Sequence, residues 1–232
     1  MGGTLADNAP RWEIKAKERL RTNLRKATRD IRKLLDEDAA EARTRLMVTE
    51  FLVNGLGFDA MTDLDPEFAT RGDYADYLLK LNSQPIAFVE VKRVRVKLTD
   101  RHLRQVESYA LRHESIDWAI LTNGRVWRVY RIERGRPVEA VCLSEVDLLD
   151  GRTPAPHASA LLPMTREGFQ HGYVDHLWEK SRSMNPRLIR ELLLSDKVIA
   201  ALRSEIRRRT HHLVDPNDLM RTIRDEVVRP IQ

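Results

Sequence analysis

At 232 residues, 42% of them hydrophobic and 32% charged, the chain can bury a sizeable core beneath a heavily charged surface. A formal net charge of +5 and a pI near 9.5 favour an acidic partner, with nucleic acid the leading class. The single cysteine, Cys142, excludes an intrachain disulfide and a cysteine-rich zinc site.

The opening stretch "MGGTLADNAPRWEIK" has no apolar signal region, and Ala6 stands where a myristoylation pattern needs Ser or Thr. With no apolar run of membrane-spanning length, a cytoplasmic chain without a membrane partner is expected. Residues 11–38 lack Gly and Pro and read as a basic helix, with a thin stripe of Ile14, Leu20, Leu24, Ile31, Leu34 and Leu35. A second helix is expected in "EARTRLMVTEFLVNGL", where Leu46, Met47, Phe51, Leu52 and Leu56 recur at helical spacing until Gly55 and Gly57 end it.

From about Phe58 the period changes. "DYLLKL" and "PIAFVEVKR" read as strands around a three-residue turn, "NSQ". "DRHLRQVESYALRHE" reads as a helix capped by Asp100. "DWAILT" and "VWRVYRI" read as a further hairpin around Asn123-Gly124, half-buried and at a sheet edge. "DGRTPAPHASALLP" has the composition of a linker, and the remainder is helical, with caps at Ser195 or Asp196 and at Asp215. The expected organisation is a basic helical segment (1–40), an α/β (α+β) domain (41–150), a linker (151–165) and a helical C-terminal domain (166–232).

Chemistry enters at "PIAFVEVKR". Alternation puts Ile86, Phe88, Glu90 and Lys92 on one face, mixing core residues with an acid and a base. With a three-residue turn Leu81 faces Pro85, and counting back along the ladder sets Asp76 opposite Glu90. Two facing carboxylates repel. A divalent cation between them removes that penalty, and hard oxygen ligands suit Mg²⁺ or Mn²⁺. Such an ion polarises a phosphodiester and lowers the pKa of an attacking water, while Lys92 orients the water or neutralises the phosphate. The competing reading is an exposed ion cluster on a sheet.

Taken in order, "EARTRLMVTEFLVNGLGFD", "PEF", "DYLL", "PIAFVEVKR", "QVESYA" and "WAILTNGRVWRVY" resemble one family, across about residues 41–150. It is the N-terminal nuclease domain of the restriction subunit of type I restriction enzymes, in the PD-(D/E)xK nuclease superfamily. The resemblance implies a restriction-endonuclease-like mixed central sheet flanked by helices, binding Mg²⁺ and cutting DNA. It makes Asp76 and Glu90 metal ligands, Lys92 the catalytic lysine and Glu41 the helical acid that assists with the metal or its waters. Gln105 and Tyr109 match a Gln-x-x-x-Tyr element beside the scissile strand, and their spacing of four sets both on one helix face. Arg45, Arg93 and Lys97 are candidate nucleic-acid contacts.

Two departures stand out: Ala75 replaces the proline of the superfamily's name, and no phosphate-loop motif is present, so no ATP site is expected in this chain. His171, His176, His211 and His212 fit no standard ligand spacing. Residues 207–209, with Lys197 and Arg203, make the C-terminal helices basic, but docking or homodimerisation is favoured there over DNA contact. The leading reading is a metal-dependent DNA endonuclease of restriction, phage defence or prophage DNA processing, acting with DNA and a possible partner subunit. The alternative is a non-cleaving nucleic-acid-binding or regulatory protein on the same fold; RNA cleavage ranks lower.

Overall fold

The computed structural model describes residues 9–70, 73–113 and 115–227, so Ala6 lies outside the described residues. The chain divides into two compact units, Met1–Leu177 and Trp178–Gln232.

The first unit opens on α1 (Arg11–Asp36), entered through Pro10. Its buried side chains, Ala16, Leu20, Leu24, Ala27, Ile31 and Leu34, recur every three or four residues and make one stripe. Ile14 falls off it and is 47% exposed, contrary to the expected pattern. Burying Leu20, Leu24, Ile31 and Leu34 contributes roughly 1.5–3 kcal/mol each. α2 (Glu41–Glu50) runs on into a π-helical turn, Phe51–Gly55, and Gly57, at φ +84°, turns the chain out. Met47, Phe51, Leu52 and Leu56 enter the core as expected, whereas Leu46 is 71% exposed.

Among the described residues six strands follow in one sheet, in spatial order β1 (Leu64–Thr70), β2 (Asp73–Leu81), β3 (Gln84–Val91), β4 (Trp118–Thr122), β5 (Val126–Glu133) and β6 (Glu139–Asp147). All neighbours are antiparallel except β3 and β4, which run parallel because α3 (Asp100–Arg112) carries the chain between them. The mixed sheet between helices is the architecture expected from the sequence. β1 and β6, the two edges, were not anticipated. β5, expected at an edge, is interior, and Trp127 is fully buried against Phe51 with ring centres 5.2 Å apart.

The β2–β3 turn has two residues, not three: Asn82 and Ser83 both take positive φ, and Leu81 pairs with Gln84. A bulge between Leu79 and Lys80 then restores the expected ladder, Leu79 to Ala87, Leu78 to Phe88 and Tyr77 to Val89. One further step sets Asp76 across from Glu90. Thr99, not Asp100, caps α3, in a reciprocal box with His102.

The core on one face of the sheet joins Leu78, Phe88, Leu121 and Tyr130 to Val106 and Tyr109 of α3. The stretch expected as a linker is instead α4 (Pro154–Leu161) and a 3₁₀ turn, Leu162–Met164. Ala158, Leu161, Leu162 and Met164 are buried, and α4 packs on α1 and β6. α5 (Arg166–Gln170) is bolted on by charge. Arg19 makes a two-pronged bond to Glu167, both at 2.7 Å, and reaches the Gly55 and Leu56 carbonyls, while Arg166 pairs with buried Asp63 at 2.7 Å. Trp12 stacks on His171, ring centres 4.3 Å apart. The expected division at residue 166 therefore moves to α6 (Tyr173–Ser183), because these contacts tie residues 154–177 to the first unit.

In the second unit α7 (Pro186–Leu193), α8 (Asp196–Thr210) and α9 (Pro216–Thr222) follow the expected boundaries. The Asp215 carboxylate accepts the Asn217 and Asp218 N–H groups as the α9 cap. Arg208 and Arg209 both pair with Glu205, so much of the basic run is answered locally. No helix among the described residues is long and apolar enough to cross a membrane.

Candidate active site

Three backbone segments converge where β2 begins and β3 ends. Lys92 donates its N–H to the Thr122 carbonyl (2.8 Å), which extends the parallel β3–β4 ladder by one residue. The connection beyond it is gripped from α2: the Glu41 carboxylate accepts the Arg93 N–H (3.2 Å) and the buried Thr44 hydroxyl accepts the Val94 N–H (3.1 Å). From the other side, the buried Asn123 amide donates to the Val94 and Val96 carbonyls, at 3.3 and 2.8 Å. Lys92 is thus fixed by its backbone before its side chain makes any contact.

Its ammonium donates to Glu90 Oε1 (2.5 Å) and Gln105 Oε1 (2.9 Å). Gln105 Nε2 donates to the Tyr109 hydroxyl (3.1 Å), which donates to Glu90 Oε2 (3.3 Å). The four side chains close a ring. Gln105 and Tyr109 reach it together because they stand one turn apart on α3. Asp76 lies across the strand, with Oδ2 accepting the Val91 N–H (2.7 Å) and Oδ1 facing Arg45 Nη1 (3.2 Å).

Glu90 is 3% exposed, and burial pushes its carboxyl up to about 7, against the pull of Lys92. Asp76 is likewise raised, first by burial, with the Val91 N–H and Arg45 opposing; Glu41 adds to the rise, and the negative charge of Asp76 raises Glu90. These are two desolvated carboxylates that destabilise one another when ionised. Among the described residues no group of three or more His, Cys, Asp or Glu side chains is placed to hold a metal. A hard cation such as Mg²⁺ needs only one or two carboxylates, with water and phosphate oxygens completing its shell, and Asp76 and Glu90 fit that requirement.

The sequence-derived candidates therefore fall into two groups. Asp76, Glu90, Lys92, Gln105 and Tyr109 come together, with Glu41 beside them and Arg45 on the Asp76 flank. Arg93 is turned away, with its guanidinium on the Asp38 and Ala39 carbonyls and on the Asp38 carboxylate, in a structural clamp. Lys97 is exposed in a separate groove with Arg95, Arg125 and Arg128. Arg125 and Arg128 there pair with Asp147 and Glu145, which leaves Arg95 and Lys97 as the groove's excess of positive charge. Thr44 and Asn123 escaped the sequence reading as positioning residues. Asn123 carried a signal, its place in the "TNGR" turn, but not its two long-range acceptors.

Residues 40–146 match the family model described as type I restriction enzyme R protein N terminus. This segment resembles an R-protein N-terminal domain. No curated protein and no solved structure matches the chain. The matched segment contains every residue of the ring as well as Asp76, Glu41 and Arg45, and ends at Val146, within β6.

Proposed function

We propose that the chain is a metal-dependent DNA endonuclease of the PD-(D/E)xK type, serving restriction, phage defence or prophage DNA processing. The observation that carries this reading is half-buried Asp76 beside buried Glu90, which closes a ring with Lys92, Gln105 and Tyr109, within the segment that matches the R-protein N-terminal model. Asp76 and Glu90 hold Mg²⁺ or Mn²⁺, which when bound polarises the phosphodiester and acidifies a water.

The chain's own groups do the rest. Lys92 orients the attacking water and neutralises charge developing on the phosphate. Gln105 and Tyr109 hold the Lys92 ammonium and the Glu90 carboxylate in register, Gln105 from a partly exposed position and Tyr109 from within the core. Glu41 keeps the Arg93 backbone in place and adds negative potential beside Asp76. A partner subunit and a second copy of this chain are candidate partners.

Incubating supercoiled plasmid with the purified protein in EDTA, Mg²⁺ or Mn²⁺, beside Asp76→Ala, tests the reading. Nicking or linearisation is expected with either metal, and loss of at least about a hundredfold in the variant. Equal cutting by both proteins would refute the assignment. Intact DNA throughout, with no metal binding by calorimetry, would favour a non-cleaving nucleic-acid-binding protein.

A further inference from the structure

The face of α3 that carries Gln105 and Tyr109 carries a third polar side chain. His102 precedes Gln105 by three residues and Tyr109 by seven, so all three stand on one stripe. Gln105 and Tyr109 are committed to the ring: Gln105 accepts from Lys92 and donates to Tyr109, which donates to Glu90. His102 is partly exposed, and its imidazole is held at one end only. Nδ1 accepts the Thr99 N–H (3.1 Å) and lies 3.4 Å from the Thr99 hydroxyl, whereas Nε2 has no partner among the described residues. Burial, then Lys92 and Arg101, hold His102 below the ordinary histidine range, with Glu41 opposing, so the ring is neutral at pH 7. A neutral imidazole that accepts at Nδ1 carries its proton on Nε2. Lys92 and Glu41 belong to the candidate site, so the ring stands within its field.

The residue type is itself informative. The third helical position of a capping box needs only an acceptor, and Glu or Gln is the ordinary choice. A carboxylate at residue 102 would add to the negative charge of Asp76, Glu90 and Glu41 and repel a phosphate. Imidazole caps the helix without charge and leaves one N–H over.

We propose that His102 is a substrate-binding residue: its Nε2–H donates to a non-bridging oxygen of a DNA backbone phosphate lying along α3, beside the scissile bond. The inference rests on the nuclease reading above. A neutral imidazole does not readily release its Nε2 proton, so His102 positions the strand and takes no part in proton transfer.

A purely structural histidine would act only as the cap, and substitutions separate the two roles. His102→Asn places an amide oxygen where Nδ1 sits and reaches no further, whereas His102→Ala removes cap and donor together. With Lys92→Ala in the background to prevent cleavage, and Mg²⁺ present, both variants are expected to bind duplex oligonucleotide about tenfold more weakly than their parent. Only His102→Ala is expected to melt lower, by about 2–4 °C. Neutral methylphosphonates introduced one position at a time should include one that weakens the parent about tenfold and the Asn variant less than twofold. Parent-like binding by His102→Asn would reduce His102 to a helix cap and overturn the proposal. Weaker binding with every methylphosphonate felt equally by parent and variant would make the effect indirect and overturn it too. In either case cleavage by the wild type leaves the nuclease reading standing. No duplex binding by the wild type would remove the DNA reading itself, and the inference with it.

Discussion

Lys92→Ala should lower plasmid cleavage by about a thousandfold while changing affinity for duplex DNA by less than about threefold. The asymmetry follows from geometry. Lys92 is held on three sides, by Glu90, Gln105 and the Thr122 carbonyl, so on the proposed nuclease reading its contribution is one of placement, not of general attraction. Truncation leaves the ring open and Glu90 without its counter-charge, and cleavage is the readout that registers both. Single-turnover rates and fluorescence-detected binding on one oligonucleotide separate the two effects. A variant that loses binding and cutting in parallel would recast Lys92 as a phosphate anchor. Full activity would remove it from the mechanism.

The second large effect runs opposite to activity. Because the Glu90 carboxyl is raised to about 7 from an ordinary 4.5, the folded, metal-free protein holds a proton there that the unfolded chain has already released. Between those two values the folded state binds more protons, so this residue's contribution to stability falls as pH rises from about 4.5 to about 7. Above pH 7 the ionised side chain costs at most about 3 kcal/mol. Glu90→Gln keeps the shape without the charge. In EDTA it should be the more stable protein at pH 8, by up to about 3 kcal/mol, and nearly equal to the wild type at pH 4.5. Urea unfolding across that range gives the difference directly. Millimolar Mg²⁺ should close the gap at pH 8 by stabilising only the wild type, whereas a gap independent of pH would show that Glu90 titrates as an ordinary carboxyl.

Much of this architecture was legible because local pattern and tertiary environment agree. The α1 stripe, the α3 pair Gln105 and Tyr109, and the acid and lysine on an otherwise apolar strand all carry their meaning in spacing. β1 was hidden because "LDPEFAT" carries two acids, a proline and no alternation, which an edge strand tolerates. The β2–β3 turn was misjudged by one residue, yet Asp76 was expected opposite Glu90, since a bulge that no local signal reveals offsets the shorter turn. Residues 151–165 read as a linker for their Pro, Gly and Ala content. Those same small side chains let α4 lie close on α1. What could not be read was partner choice across long separations, such as Asn123 reaching Val94 and Val96, or Arg93 serving the Asp38 turn instead of a ligand.

The family match and the folding unit have different limits. The match covers residues 40–146, but α1 before it and α4 and α5 after it supply one wall of the core and the ion pairs that fasten it. Excised at its matched limits, the domain would present its π-helical turn, Phe51 and the outer face of β6 to water as a raw apolar surface. Inheritance of this nuclease-like module therefore has a minimum parcel. A recombination event that carried only the matched segment would leave behind the helices that cover one wall of its core and the ion pairs that fasten them.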